Sequence, residues 1–153
     1  MANNYCQFSV ELPAIYDNEK EWWRKVLSFN RQDSLDENDE PITDSNEARI
    51  FASVVQDEYK EGYSFQWEIE GMCIWFYAEE YGDPYEVACL VHYFLKEMRP
   101  NGDDKFILSW AETCSKMRVD EFAGGTVIAT KDGVGICGSQ SQIKCAEQSI
   151  QPV

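Results

Sequence analysis

The sequence predicts an α+β fold, a two-layer domain in which helices cover one face of an antiparallel sheet. Residues 5–12 alternate between apolar and polar side chains, as a half-buried strand does. Residues 84–98 instead repeat their apolar side chains at helical spacing. The predicted elements run strand, two helices, two strands, helix, strand and hairpin. This is the ferredoxin-like β-α-β-β-α-β order with an extra helix and a C-terminal hairpin.

Two helices are predicted after the opening strand. The first covers residues 17–30, where Asp17 can cap the N-terminus, and the second covers residues 45–61, where Ser45 can do the same. Residues 33–44 separate them and hold six acidic residues and no basic residue. A segment this polar is expected to be a loop.

The central part of the chain supplies a hairpin and the third helix. Residues 63–70 and 73–81 are predicted to pair as two strands around a tight turn. Asp83 and Pro84 then begin a helix over residues 84–98, because aspartate caps a helix well and proline suits its first position.

The last strands complete a single domain. A strand is predicted over residues 106–110, and a hairpin pairs residues 126–130 with 134–137. We therefore assign residues 1–138 to one α+β domain. Residues 139–153 form a polar C-terminal tail, which we expect to be poorly ordered.

The composition is that of a folded acidic protein. Its 153 residues carry a net charge of −15, yet 14% of them are aromatic, more than a disordered acidic chain would contain. Direct binding to nucleic acid or to an anionic membrane is not expected, because both depend on clustered Lys and Arg side chains. The longest apolar run, residues 73–78, is far shorter than the roughly 20 residues that span a bilayer.

The cysteines and acidic residues predict no metal or cofactor site. No two of the six cysteines are spaced C-x-x-C. A run starting at Asp36 resembles a calcium-binding loop, but Pro41 occupies the position that requires glycine. The N-terminus lacks the basic and apolar segments of a secretory signal, so we expect a cytoplasmic chain with reduced cysteines.

His92 is the only histidine, so any histidine-dependent catalysis must use it. On a helical wheel it lies away from the apolar stripe, which predicts a surface or sheet-edge position. Glu68 and Glu70 share one face of a predicted strand, where two carboxylates could act together or simply be solvated. One alternative function is therefore a small enzyme or ligand-binding domain that uses His92 with Glu68 or Glu70.

The distribution of charge along the chain is more informative. Residues 57–86 contain nine acidic residues and one basic residue, Lys60, so their net charge is −8. This stretch indicates either a generally acidic surface or one that attracts a basic protein by electrostatic steering. Tyrosines within it are of the type favoured at protein interfaces. The predicted partner-binding residues are Asp57, Glu58, Glu61, Glu79, Glu80, Tyr81, Asp83, Tyr85 and Glu86.

Two segments, FQWEIEGMCIWFYAEEYGDPYEVACLVHYFLKEM and FILSWAETCSKMRVDEFAGGTVIATKDGV, resemble small acidic proteins of bacteriophages and other mobile elements. The resemblance implies a setting in the bacterial host cytoplasm. It also implies kinship in size and charge with anti-CRISPR and DNA-mimic inhibitors. We therefore expect a non-enzymatic inhibitor of a basic, nucleic-acid-handling host defence protein, acting as a monomer or homodimer. An immunity protein that neutralises a basic toxin is a further alternative.

Overall fold

The computed structural model describes residues 3–13, 15–32, 37–38, 44–57, 59–117, 123–138 and 147–153. Within these ranges one sheet contains β1 (Asn4–Leu12), β2 (Gln66–Glu70), β3 (Cys73–Ala78), β4 (Phe106–Cys114), β5 (Ala123–Thr130) and β6 (Gly133–Cys137). Its helices are α1 (Asp17–Leu27), α2 (Asn46–Val54) and α3 (Pro84–Met98). The predicted α+β class is confirmed.

The strand order in the sheet is β2-β3-β1-β4-β5-β6, and every neighbouring pair is antiparallel. β1 therefore lies between two strands that come later in the chain. The first four strands and their helices follow the predicted ferredoxin-like order, with one extra helix. The predicted C-terminal hairpin is formed by β5 and β6, and it extends the sheet beyond β4.

One face of the sheet and the helices together form the core. Trp23 of α1 is fully buried, and its ring centroid lies 5.2 Å from that of Phe76 on β3 and 5.1 Å from that of Phe94 on α3. Contacts of this kind join α1 to both the sheet and α3. The strands contribute alternate side chains to this core, among them Phe8, Leu12, Ile74, Phe76, Phe106, Leu108 and Val127.

No described helix packs on the other face of the sheet over β2, β3, β1 and β4, and many of the side chains there are exposed. Side chains of this face alternate with the core residues along each strand. We call this side the open face. Its exposed members include Ser9, Glu11, Gln66, Glu68, Glu70, Ser109 and Ala111.

Four of the predicted elements are shorter in the structure. α1 ends at Leu27 instead of residue 30, and β2 begins at Gln66 instead of residue 63. α2 ends at Val54 instead of reaching residue 61, because Val55 adopts an extended backbone and buries its side chain in the core. Valine's branched side chain suits that conformation. Tyr59, which the predicted helix would have buried, is 86% exposed. β3 ends at Ala78, so the residues up to 81 lie beyond the strand.

Asp83 caps α3, and its removal has a measurable cost. Its carboxylate accepts a hydrogen bond of 2.9 Å from the backbone N–H of Tyr85. Replacing Asp83 with alanine is expected to lower the free energy of unfolding by about 1 kcal/mol. Replacement with asparagine, which caps equally well, should cost little. Urea unfolding of both variants checks this, and equal losses would contradict the capping role.

Residues 147–153 pair with the edge of the sheet. The backbones of Val134 and Gln151 exchange two hydrogen bonds, of 2.8 and 3.0 Å. The expectation that the polar tail is poorly ordered does not hold for these residues, because they satisfy backbone groups along β6. Residues 139–146, the rest of the predicted tail, lie outside the described residues.

The expectation that every cysteine is reduced is also wrong, because Cys137 is disulfide-bonded. Spacing in the sequence does not reveal such a bond, since pairing depends on proximity in the fold. Cys6, Cys73 and Cys89 are not in disulfides. Burial raises the pKa of Cys89 to about 12, so this thiol stays protonated and behaves as a small apolar side chain.

Candidate protein-binding surface

The residues predicted to bind a partner gather at one end of the sheet, where β2 begins and β3 ends. Glu79 and Glu80 directly follow β3, and Asp83 and Tyr85 lie at the start of α3. Asp57 reaches the same end, because it lines a cavity of about 500 Å³ together with Asp83 and Tyr85. The fold therefore brings these residues together, although their surroundings differ.

The part of this surface around Asp57 and Glu61 is less acidic than predicted. The backbone N–H of Arg31 donates to the carbonyl oxygen of Glu61 at 2.8 Å, and its Nη1 donates to that of Asp57 at 3.3 Å. The side-chain amide of Gln32 donates to the Glu61 carboxylate. The Arg31 guanidinium thus places a positive charge beside the backbone of Asp57. Glu58 lies outside the described residues.

Glu86, one of the predicted partner-binding residues, is buried, with only 3% of its surface exposed. Its carboxylate accepts hydrogen bonds from the backbone N–H of Ser64 at 3.0 Å and from the Ser64 hydroxyl at 2.9 Å. The Nζ of Lys60 lies 3.6 Å from the same carboxylate. These contacts join the first turn of α3 to the segment before β2, so Glu86 has a structural role.

Asp83 and Tyr85 are partly committed to the fold. Asp83 is half-buried and caps α3, as described above. Tyr85 is 40% exposed. Its partial burial raises its pKa most, the neighbouring Cys89 raises it further, and its hydroxyl therefore stays protonated. The cavity that both residues line also contains Lys60, whose positive charge offsets part of their acidity.

Glu79, Glu80 and Tyr81 are the predicted residues that remain most available. Their backbone is held against β1, because Cys6 N–H donates to the Glu80 carbonyl at 2.9 Å and Gln7 Nε2 donates to that of Glu79 at 2.7 Å. Both glutamates are exposed, and neither has an ion pair within the described residues. Tyr81 is 67% exposed. They form an accessible acidic and aromatic ridge on a fixed backbone.

A second cavity, of about 380 Å³, lies beside this ridge and is lined by Tyr5, Cys6, Tyr81 and Glu112, among others. Burial raises the pKa of Cys6, and the carboxylates of Glu112 and Asp83 raise it further. A cysteine acts as a nucleophile through its thiolate. These surroundings therefore disfavour a nucleophilic role for Cys6.

His92 was predicted to lie at the surface or at a sheet edge, and the surface position is wrong, because His92 is 3% exposed. Its Nδ1 lies 2.8 Å from the carbonyl oxygen of Thr130 on β5. A carbonyl oxygen only accepts, so Nδ1 carries the hydrogen and donates it. Glu68 and Glu70 lie on β2, at the opposite edge of the sheet and on the open face. The structure does not bring His92 to either carboxylate.

The open face presents two residues that the sequence pattern does not single out, Trp75 and Glu11. Trp75 on β3 lies directly opposite Glu68 on β2 and Glu11 on β1. Its ring stacks on Tyr77, with centroids 4.0 Å apart and planes 23° apart. Because Tyr77 is followed two residues later by Glu79, this face continues into the acidic ridge. The sequence signal that could have identified this face is the aromatic residue at alternate positions along β3, next to a paired strand whose alternate positions are glutamates.

The sheet as a whole carries unbalanced negative charge. The six strands contain no Lys or Arg, and their acidic residues are Glu11, Glu68, Glu70 and Glu112. Of the described basic residues outside the strands, six form ion pairs: Lys20, Lys25, Lys60, Arg99, Lys105 and Lys131. Glu11, Glu68 and Glu70 give the open face its negative charge, and Glu79 and Glu80 add to it at the ridge.

Other kinds of site are less developed in the described residues. They contain no group of three or more His, Cys, Asp or Glu side chains placed to hold a metal ion. No described helix is long and apolar enough to cross a membrane. Protein-family models, curated proteins and solved structures provide no match to this chain.

Proposed function

We propose that this chain is an acidic, non-enzymatic binding protein that inhibits a basic, nucleic-acid-handling host defence protein, of the anti-CRISPR or DNA-mimic type. The observation that carries the proposal is a surface formed by the open face and the ridge beside it, on which exposed carboxylates lie next to aromatic rings. We call it the acidic surface, and it comprises Glu11, Glu68, Glu70, Trp75, Tyr77, Glu79, Glu80 and Tyr81.

The chemistry of this surface favours a basic protein as its partner. Carboxylates without neighbouring bases attract positive charge over long distances and so accelerate association. Proteins that handle nucleic acid carry clustered Lys and Arg side chains for the phosphates. An array of carboxylates that occupies such a cluster competes directly with nucleic acid, and this competition is the proposed inhibition.

Reversing the charge of the ridge tests this function. We expect Glu79→Lys with Glu80→Lys to weaken partner binding by about tenfold, mainly through slower association. The partner would first be captured from bacterial lysate at low salt, and high salt should release it. The matched control is Asp103→Lys with Asp132→Lys, two exposed acids at the opposite end of the sheet. This control makes the same change in net charge.

Two results would count against the proposed function. One is a partner that is retained equally at low and high salt. The other is an equal loss of binding in both double variants, because net charge alone would then explain it. Capture of a basic toxin would instead identify an immunity protein that uses the same surface.

A further inference from the structure

We infer that the open face binds an arginine side chain of a basic protein, held against Trp75 and between the carboxylates of Glu68 and Glu11. The inference rests on the proposed function and specifies what the partner must present. It follows from strand register, ring geometry and charge.

Strand register places one glutamate on each side of Trp75. Because β3 lies between β2 and β1, Trp75 has Glu68 directly opposite on one side and Glu11 directly opposite on the other. Residues opposite each other in an antiparallel sheet have Cβ atoms about 4.5–5.5 Å apart. Both glutamates are exposed, and neither forms an ion pair within the described residues. A cation at the indole therefore lies within reach of both.

The indole is held in place before any ligand arrives. Its Nε1 donates a hydrogen bond of 2.8 Å to the hydroxyl oxygen of Ser9 on β1. Its ring also stacks on Tyr77, so one face of each ring is covered by the other. Both aromatic residues are only half-buried. A preorganised ring loses little conformational freedom on binding, which favours affinity.

Arginine matches this arrangement better than lysine does. A cation near an aromatic face is attracted by the negative charge of the π system, most strongly with tryptophan. A guanidinium group is planar, so it can stack on the indole and donate paired hydrogen bonds to a carboxylate in the same pose. The ammonium group of lysine is compact and strongly hydrated, and it cannot do both.

The charge of the open face distinguishes a protein ligand from nucleic acid. RNA-binding modules with a comparable sheet stack bases on exposed aromatic residues. Here Glu11 and Glu68 flank Trp75, Glu70 follows two residues later on β2, and no basic residue lies on these strands. These carboxylates repel phosphates and attract guanidinium groups. The occupant is therefore a basic protein segment that presents arginine.

Defined peptides test the inference on the full chain. At equal ionic strength, we expect hexa-arginine to bind about fivefold more tightly than hexalysine and to shift the NMR signal of the Trp75 indole N–H. Trp75→Leu should weaken hexa-arginine binding by about tenfold. The matched control is Trp22→Phe, because Trp22 is a half-buried tryptophan on α1 whose Nε1 donates to Glu97. This control should bind as the wild type does.

Three results would overturn the inference: equal affinity for the two peptides, unchanged binding by Trp75→Leu, or a shift of the Trp75 signal by a single-stranded oligonucleotide. If Trp75→Leu does not fold, Glu11→Gln with Glu68→Gln removes the charge at constant shape and should reduce the arginine preference. A captured partner that is insensitive to Trp75→Leu would overturn this inference alone. Arginine preference without any captured partner would overturn only the proposed function.

Discussion

Replacing Trp23 with alanine is expected to lower the free energy of unfolding by about 3–5 kcal/mol. Trp23 is fully buried, and its ring packs on Phe76 of the sheet and Phe94 of α3. Its removal opens a cavity where α1, α3 and the sheet meet. Domains of this kind are stable by only about 5–15 kcal/mol, so the loss is a large share of the total. Urea unfolding followed by circular dichroism measures it.

A conservative variant separates the cost of opening a cavity from the cost of removing the polar indole N–H. Trp23→Phe should cost much less than Trp23→Ala, because Trp23 Nε1 makes no hydrogen bond within the described residues and phenylalanine retains much of the ring. Trp22→Ala, at a half-buried site on the same helix, should also cost less. If the free energy of unfolding of Trp23→Ala lies within about 1 kcal/mol of the wild-type value, the packing argument is contradicted.

The second large effect is expected at Arg99, whose replacement by methionine should cost about 3 kcal/mol at neutral pH. The Glu19 carboxylate is buried and accepts hydrogen bonds from Arg99 Nε at 2.8 Å and Nη2 at 3.1 Å. It also accepts one from the backbone N–H of Tyr16 at 2.8 Å. Methionine preserves an apolar stem beside Phe94 but leaves the carboxylate buried without its cation.

This ion pair also makes stability depend on pH in a defined direction. Burial alone would raise the pKa of Glu19, but the hydrogen bonds from Arg99 and Tyr16 outweigh it and lower the pKa. A lowered pKa stabilises the fold above the unfolded value of about 4.3, and this contribution is lost as the pH falls through the folded value. The difference in the free energy of unfolding between wild type and Arg99→Met should therefore become smaller in acid.

Unfolding measured from neutral pH down to about pH 3 tests this dependence. Lys25→Met serves as the control, because it removes an exposed pair in which Nζ lies 3.9 Å from the Glu21 carboxylate. Such pairs contribute little to stability, so the variant should unfold almost as the wild type does. If the difference in the free energy of unfolding between wild type and Arg99→Met stays constant across this pH range, the proposed link between Glu19 ionisation and stability is refuted.

The fold was predictable where local signals are strong and less so where distant residues decide. The bounds of α3, Pro84–Met98, match the prediction because a capping aspartate precedes it and Pro100 follows it closely. β4 extends to Cys114 instead of residue 110, since its last residues pair with β1, more than a hundred positions away in the chain. No window of local sequence contains that pairing.

The candidate site was predictable in charge but not in detail. Which carboxylates are engaged depends on distant partners, such as Ser64 for Glu86 and Arg31 for the segment near Asp57. Trp75 was not among the predicted site residues for another reason. β3 is apolar or aromatic on both faces, a pattern typical of strands covered on both sides. Only the three-dimensional arrangement reveals that one of its faces is open.

The position of β2 at the outer edge of the sheet has a consequence for self-association. An edge strand offers unpaired backbone groups on which a second copy could add its own strand. Pairing along β2 would place Glu68 and Glu70 of one molecule against the same residues of another, and opposed like charges destabilise such a ladder. While these carboxylates are ionised, the groups that attract a basic partner therefore also protect the protein from aggregation along this edge.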